Sequence, residues 1–272
     1  MGRDVELYGA SYGGFELPAR ERVRRETYDE DLGQTSWLTA DEWRTFIDWL
    51  AVAPGDRVLD VACGSGGPAV YLAARTGASV TGVDIDPAAV ATANRLAAER
   101  SLADRAVFIE ADAARRLPFD DATFAAIVCI DAVNHLLDRA AVLEDWHRLL
   151  RPEGRLLFTD PILVTGMLTD EEIAIRASIG RFVFSLPQED ERLLAAAGFR
   201  LLGHEDVTEN MALVADRWRT ARTGHRDALV ADEGQETFEG TQRFLSMAAT
   251  LAAERRLSRH AFVATPKRQP LA

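Results

Sequence analysis

Two acidic residues and a glycine-rich turn are the groups in this sequence best suited to chemistry. Asp60 ends a short apolar run, the turn Gly64-Ser-Gly66-Gly67 follows it, and Asp84 comes 20 residues after Gly64. Glycines after a buried strand let the backbone approach a ligand, and the following helix presents unsatisfied N–H groups. A carboxylate at the end of the next strand accepts hydrogen bonds from ribose hydroxyls. The pattern predicts a site for a nucleotide-sized ligand.

The acid before the turn distinguishes two kinds of nucleotide ligand. Dinucleotide-binding folds also have a glycine turn and an acid at the position of Asp84, so these features alone leave an NAD(P)-dependent oxidoreductase open. Asp60 would repel a pyrophosphate but attract an ammonium or a sulfonium. The glycines form GSGG rather than GxGxxG, and Pro68 stands where the helix must begin. Both features favour a cationic ligand over a dinucleotide.

Alternating strands and helices surround this turn. Over about 100 residues, β-rich apolar runs alternate with amphipathic helical patterns, which is typical of a parallel sheet. The predicted fold class is α/β, a doubly wound, seven-stranded, mostly parallel Rossmann-like sheet with a helical N-terminal arm and a helical lid insertion. The strands are predicted at residues 57–61, 79–83, 106–110, 124–130, 155–159, 199–207 and 260–265.

The chain is predicted to form one domain with three regions. Residues 1–54 form an N-terminal arm and helices that cover part of the site, and within them residues 1–38 are an irregular arm with one helix around Pro18 to Asp29. Residues 55–160 form the cofactor-binding core, and residues 161–272 form lid helices and the final strands. Lid helices would lie over the carboxyl ends of the strands, where ligands bind in such sheets. Capping boxes are predicted at Thr39–Glu42 and Thr169–Glu172, and long helices at 211–229 and 235–255.

Composition excludes several classes of function. The net charge is -12 and the basic residues are dispersed, so the chain lacks the cationic footprint that nucleic acid requires. Cys63 and Cys129 both fall at predicted strand ends, which argues against a disulfide framework and for a reducing compartment. The first 14 residues have no apolar signal core, and no apolar run reaches membrane-spanning length. A cytoplasmic protein that binds no membrane is expected, and the sequence leaves a homodimer open.

Five motifs in order resemble the class I S-adenosylmethionine-dependent methyltransferases of the small-molecule type. The family's first motif is an acidic residue followed by a GxGxG-like loop, and here its first glycine is replaced by Ala62. The resemblance covers roughly residues 55–160, and AAAGFRLL and HAFVATPK match the family's final strands less closely. It implies S-adenosylmethionine as cofactor and methyl transfer to a small-molecule acceptor. The motifs are DVACGSGG, VTGVDID, EADA, CIDAVNHL and LLRPEGRLLFTD.

The resemblance also implies a set of cofactor-binding residues. It assigns Asp84 to the ribose and Asp112 to the adenine amine, and it packs Ile85 on the adenine. Each has an alternative: the two aspartates also suit helix caps, and Ile85 also suits the core. The full predicted set is Asp60, Ala62, Gly64, Gly66, Asp84, Ile85, Asp112, Ala113, Ile130, Gln34 and Trp37.

Three residues are candidates for a catalytic role. Among the five histidines, only His135 follows the fourth strand within the motif, and we expect it near the acceptor as a base or an orienting donor. A structural histidine holding that loop is the alternative. In the methyltransferases that this arm resembles, an early tyrosine closes over the methyl donor. Tyr12 and Tyr28 both remain candidates for that position.

The acceptor is the least defined part of the prediction. The arm segment from Asp31 to Thr39 looks like that of methyltransferases acting on small amines, namely sarcosine, dimethylglycine and phosphoethanolamine. It therefore favours an amine nitrogen as the acceptor. Trp37 would lie against the cationic amine or the sulfonium, or it would serve as a packing residue beside the helix start. An O- or C-methyltransferase of natural-product biosynthesis is the alternative, and Arg176 and Arg181 in the lid suit an acidic acceptor.

A metal-dependent mechanism is not expected. Asp131 and Asp160 stand at the ends of the fourth and fifth strands, where the metal-dependent catechol-type subfamily has its ligands. Pro161 occupies the place where that subfamily has asparagine. The predicted site therefore contains no metal.

Overall fold

One mixed sheet runs through the chain in this computed structural model, which describes residue 12 and residues 14–267. Its strands are β1 (Arg57–Val61), β2 (Ser79–Asp84), β3 (Ala106–Glu110), β4 (Phe124–Cys129), β5 (Leu150–Val164), β6 (Phe199–Asp206) and β7 (Leu257–Pro266). They lie in the order β3-β2-β1-β4-β5-β7-β6, and β7 runs antiparallel to β5 and β6. The predicted seven-stranded, mostly parallel α/β fold is confirmed.

The central strands are apolar on both faces because helices cover both faces. All six residues of β4 are buried, as the continuous run Phe-Ala-Ala-Ile-Val-Cys requires. One hydrophobic cluster packed against the sheet contains Trp146 and Phe158, and a second contains Trp43 and Phe46. β1 pairs with β2 on one side and β4 on the other. The strand order reverses between β1 and β4, and ligands bind at such a switch point.

Side-chain caps start several of the helices. The predicted capping box at Thr169 is complete, since Thr169 accepts from the N–H of Glu172 and Glu172 reaches back. At Thr39 only the first half forms, because the carboxylate of Glu42 turns inward to Arg259. The helices are α1 (Pro18–Thr27), α2 (Ala40–Leu50), α3 (Gly67–Thr76), α4 (Pro87–Glu99), α5 (Arg139–Leu149), α6 (Asp170–Arg176), α7 (Glu189–Ala196), α8 (Thr208–Gly224), α9 (Arg226–Glu233) and α10 (Gln235–Ala253).

Several predicted elements differ from the structure in length. β5 begins at Leu150 instead of 155 and continues beside β7 to Val164 instead of 159, and β7 begins at Leu257 instead of 260. The helix predicted over 211–229 is two helices that break at His225. Gly224 is a weak helix former, which favours a break at this point. The ring of His225 forms a hydrogen bond with the carboxylate of Glu26 on α1 at 2.7 Å. The break therefore lies where the lid meets the arm.

Ion pairs join the arm region to the lid. Arg20 of α1 pairs with Asp232 at 2.9 Å, and Arg217 of α8 pairs with Asp29 at the same distance. The contacts bring α1 against α8 and α9, so the first and last thirds of the chain pack together beside the sheet. Within the described ranges, no helix combines the length and the apolar character that crossing a bilayer requires.

Candidate active site

A cavity of about 380 Å³ lies at the carboxyl ends of β1, β2 and β4. Of the residues predicted for the site, all except Tyr28 and Gly66 line it. The arm contributes to one wall, the glycine turn to the floor and the lid to the opposite wall. The predicted residues on the cavity are Tyr12, Gln34, Trp37, Asp60, Ala62, Gly64, Asp84, Ile85, Asp112, Ala113, Ile130 and His135.

The glycine turn is shaped by its contacts with the arm as well as by its own conformation. Gly64 has a φ of 53°, and a Cβ added there would lie 2.7 Å from the hydroxyl oxygen of Tyr12. A Cβ on Gly67 would overlap the carbonyl oxygen of Leu32, so the arm backbone lies directly on the turn. Gly66 packs away from the cavity, against Ala93 and Phe108. The turn therefore needs small residues for two different reasons.

The two acids of the site are both buried and close enough to interact. Burial, followed by the charge of Asp84, raises the pKa of the Asp60 carboxyl to about 8. Burial also raises the pKa of Asp84. The backbone N–H groups of Asp86 and Gly64 donate to its carboxylate at 3.0 and 2.9 Å and partly offset that rise. Asp84 thus holds the glycine turn in place and also lines the cavity. A cationic ligand group would relieve the cost of ionising Asp60.

Residues after β2 and β3 form the rim of the cavity. Ile85 is 66% exposed, so it is not a core residue. The carboxylate of Asp112 accepts from the N–H of Ala114 at 3.0 Å and from Nε of Arg115 at 3.1 Å. Asp112 therefore stabilises a local turn after β3 and caps no helix in the described residues, and it lines the cavity as well.

The arm covers the cavity with one tyrosine rather than two. Tyr12 lines the cavity, and its hydroxyl lies 3.4 Å from Oγ1 of Thr35. Tyr28 is buried elsewhere, and its hydroxyl donates to the carbonyl of Ser36 at 2.7 Å. Burial raises the pKa of the Tyr28 phenol well above its ordinary value. Tyr28 thus supports the arm from behind.

His135 lies on the cavity wall in a short 3₁₀ turn, Val133–His135. Its Nδ1 is 3.2 Å from the carbonyl oxygen of Arg181, and its ring packs against Phe182. Since a carbonyl only accepts, Nδ1 carries the proton, and in the neutral ring the lone pair is on Nε2. Burial lowers the pKa of His135, and the charge of Arg176 lowers it further. The hydrogen bond to Arg181 acts in the opposite direction but does not outweigh burial. The imidazole is therefore neutral at pH 7.

Aromatic rings from distant helices form the wall beside His135. Trp37 stacks on Phe244 with ring centroids 6.2 Å apart and meets Trp218 edge-on at 6.1 Å. The buried guanidinium of Arg176 lies 4.8 Å from the centre of the Phe244 ring. Arg181, its predicted companion, does not line the cavity and contributes only its backbone carbonyl to His135. The result is an apolar, partly cationic wall.

Sequence reasoning did not identify two kinds of residue in this wall. Asn134 is 1% exposed, and neither its Nδ2 nor its Oδ1 has a hydrogen-bond partner within the described ranges. Its place beside His135 was an available signal. Trp218 and Phe244 lie far along the chain, on amphipathic helices where any aromatic residue suits packing. Their position on the cavity depends on how the lid folds back.

The two aspartates considered as metal ligands are both paired with arginine. Asp131 accepts from Arg259 at 2.7 Å, and Asp160 accepts from Arg139 at 2.7 Å. Among residue 12 and residues 14–267, no group of three or more His, Cys, Asp or Glu side chains is arranged to hold a metal ion.

Comparison with known proteins relates this cavity to a family. A family model described as a methyltransferase domain matches residues 58–154. The 27-O-demethylrifamycin SV methyltransferase of Amycolatopsis mediterranei is 36% identical over 192 residues, which are 70% of each chain. The phosphoethanolamine N-methyltransferase of Triticum aestivum is 30% identical over 78% of this chain, and the match spans 42% of that longer protein.

A solved structure shows the same fold. Phosphoethanolamine N-methyltransferase 2 of Haemonchus contortus, in complex with phosphomonomethylethanolamine and S-adenosylhomocysteine, superposes with a TM-score of 0.80 at 18% identity. The superposition covers 97% of this chain and 61% of that one. At this identity the likeness concerns the fold alone. It includes the lid and most of the arm as well as the central sheet.

Proposed function

The chain belongs to the S-adenosylmethionine-dependent small-molecule methyltransferases, and from that premise we propose that it methylates a hydroxyl oxygen of its acceptor. The observation that carries this proposal is the position of His135 on the cavity wall, where its Nδ1 lies within hydrogen-bond distance of the Arg181 carbonyl. A hydroxyl arrives protonated and is a weak nucleophile, so a base that takes its proton contributes directly to the rate. His135 has the tautomer for that role.

The residues on the cavity fit the cofactor of this family. We assign Asp60 to its ammonium group, Asp84 to the ribose hydroxyls, and Asp112 with Ile85 to the adenine. Asp60 is acidic where a pyrophosphate would need a donor, and Gly64 leaves no side chain between the turn and Tyr12. The chemistry that bound S-adenosylmethionine supplies is a methyl group on a sulfonium, ready for direct displacement.

The chain's own residues then have three tasks. Trp37, Phe244 and Trp218 hold the acceptor against the donor side and exclude water, since alignment contributes much of the rate in a displacement. His135 accepts the hydroxyl proton at Nε2 as the oxygen attacks. The guanidinium of Arg176 stabilises the negative charge that develops on that oxygen, because charges interact strongly in a buried site.

The same wall weighs against the amine nitrogen that the arm sequence favoured. A cationic amine would have to approach the buried guanidinium of Arg176, which already lies over Phe244 and Trp37. Like charges at short range in a site of low dielectric repel each other. The relatives named above include both an O- and an N-methyltransferase. The support for oxygen over nitrogen therefore comes from the charge of the cavity wall and the position of His135.

A methyl-donor consumption assay over matched phenols, aliphatic alcohols and amines tests the proposal. Mass spectrometry of the products identifies the methylated atom. We expect methylation of hydroxyl compounds, with turnover falling about 100-fold or more in His135→Ala, as for other general bases. Methylation of amines alone, or a loss of less than about tenfold in His135→Ala, would contradict the proposed role.

A further inference from the structure

Hydrogen bonds tie the arm segment that crosses the cavity to the glycine turn and to the loop after β4. The arm crosses the site between residues 30 and 39, where Ser65 donates its hydroxyl to the carbonyl of Gly33. Further along, the backbone N–H of Trp37 donates to Oδ2 of Asp131 at 2.9 Å. Asp131 follows β4, so this bond ties the arm to the sheet beside the acceptor wall.

The carboxylate of Asp131 is fixed from its other side. Its backbone has a φ of 54°, an uncommon conformation for a residue with a side chain. The N–H of Asp131 donates to Oγ1 of Thr159 at 2.7 Å, and that hydroxyl donates to Oδ1 of Asp131 at 2.8 Å. Nε of Arg259 donates to the same Oδ1 at 2.7 Å. These contacts leave Oδ2 aimed at Trp37.

Arg259 reaches the arm region by a second route. Its Nη1 donates to both carboxylate oxygens of Glu42, at 2.7 and 2.8 Å, and Glu42 lies on α2 directly after the arm. Asn210 of α8 donates to Glu42 at 3.0 Å. The side chain of Arg259 is fully buried, and it does not line the cavity. One cation therefore joins the last strand, the arm region and the loop after β4.

We propose that Arg259 is a positioning residue for methyl transfer, acting through Asp131 and Glu42 as a latch that sets the arm over the cofactor site. Without the guanidinium, the carboxylates of Asp131 and Glu42 would lose the cation between them, and their repulsion would turn Asp131 away from Trp37. The arm would then populate open positions. Since Gln34 and Trp37 line the cavity, the fraction of protein competent to bind would fall.

The test compares two arginines with matched surroundings. Arg139 is also buried and also bonds to two carboxylates, but its partners Asp160, Ser185 and Asp190 lie on β5, in the lid loop and on α7 rather than in the arm. Arg259→Met and Arg139→Met should lose comparable stability, because each leaves buried carboxylates without their cation. We expect Arg259→Met alone to weaken S-adenosylhomocysteine binding by about tenfold or more, measured by calorimetry well below the melting temperature.

A second variant and a second measurement keep the proposal testable if Arg259→Met does not fold. Asp131→Asn retains the pair between Arg259 and Glu42 but removes the charge that receives Trp37. In either variant, hydrogen exchange should accelerate at residues 30–39 while the amides of β1 stay protected. Equal weakening of ligand binding in Arg259→Met and Arg139→Met overturns the proposal. Unchanged arm exchange with unchanged affinity in Asp131→Asn overturns it as well. The outcome is independent of which acceptor atom is methylated.

Discussion

Binding of the cofactor should release a proton, because Asp60 has a pKa of about 8 in the unliganded site. Only the ionised carboxylate attracts the ligand's ammonium group. A pKa of about 8 leaves about one-tenth of the carboxyl ionised at pH 7 and about one-hundredth at pH 6, so the apparent dissociation constant rises about tenfold over that interval. Affinity is thus lost as the pH falls through the raised pKa, and the ammonium stays protonated throughout.

The affinity that is lost in Asp60→Asn should depend on pH. A hydrogen bond to a charged group contributes about 1.5–3 kcal/mol, so the variant should bind about 10- to 150-fold less tightly than the fully ionised wild type. At pH 7 protonation of Asp60 already lowers the affinity of the wild type about tenfold. The difference in affinity between the wild type and Asp60→Asn is therefore about 1- to 15-fold at that pH. Near pH 6, where the wild type has lost about 100-fold in affinity, the same difference becomes about 0.1- to 1.5-fold, so Asp60→Asn should bind as tightly as the wild type or up to about tenfold more tightly.

Calorimetry with S-adenosylhomocysteine measures both quantities. Titrations in two buffers of different ionisation enthalpy should show about 0.9 proton released by the wild type at pH 7 and none from this position in Asp60→Asn. Asp84→Asn is a second test, because it removes the charge that helps to raise the pKa of Asp60 and should therefore reduce the proton release at pH 7. A wild-type affinity that is flat between pH 7 and 6, or an equal slope in Asp60→Asn, would refute the reasoning.

Three further predictions follow from the site. At saturating donor, kcat should rise with pH along a limb below about pH 6.5, because burial holds the pKa of His135 under its ordinary value; the same limb in His135→Gln would contradict it. Asn134→Leu should raise the melting temperature of the ligand-free protein by about 2–4 °C, since it removes a buried amide that has no partner within the described ranges; a fall would reveal a bond to that amide. Gly67→Ala should lower the melting temperature although alanine favours helices by about 1 kcal/mol, because the Leu32 carbonyl occupies the space of the new Cβ; a rise would show that the arm does not lie there.

The sheet was predictable from sequence because its signals are local. β1 and β3 begin and end where the apolar runs begin and end, and Asp86 and Asp138 cap the helices that follow them. The cofactor side of the cavity follows from the same signals, since residues at adjacent strand ends meet at one edge of a parallel sheet. Position in a strand then implies position in the site.

The acceptor side was not predictable because its residues meet only through long-range packing. Phe244 reaches Trp37 across more than two hundred residues, through the way α8 and α10 fold over the sheet. Tyr28 and Tyr12 show the same limit within the arm. Both are aromatic and near the site in sequence, but the turn after α1 places Tyr28 behind the arm, where its hydroxyl bonds to Ser36. Side-chain type alone does not tell which tyrosine faces the ligand.

The glycine turn has a second role beyond approach to a ligand. Gly64 gives space to the hydroxyl of Tyr12, Gly67 gives space to the carbonyl of Leu32, and Ser65 between them donates to Gly33. Three of the four residues of the turn, all except Gly66, therefore contact the arm. A family motif usually explained by its ligand here also specifies where the arm lies. Because the latch at Arg259 holds the other end of the same segment, changes at Gly67 and at Arg259 should weaken cofactor binding less than additively when combined.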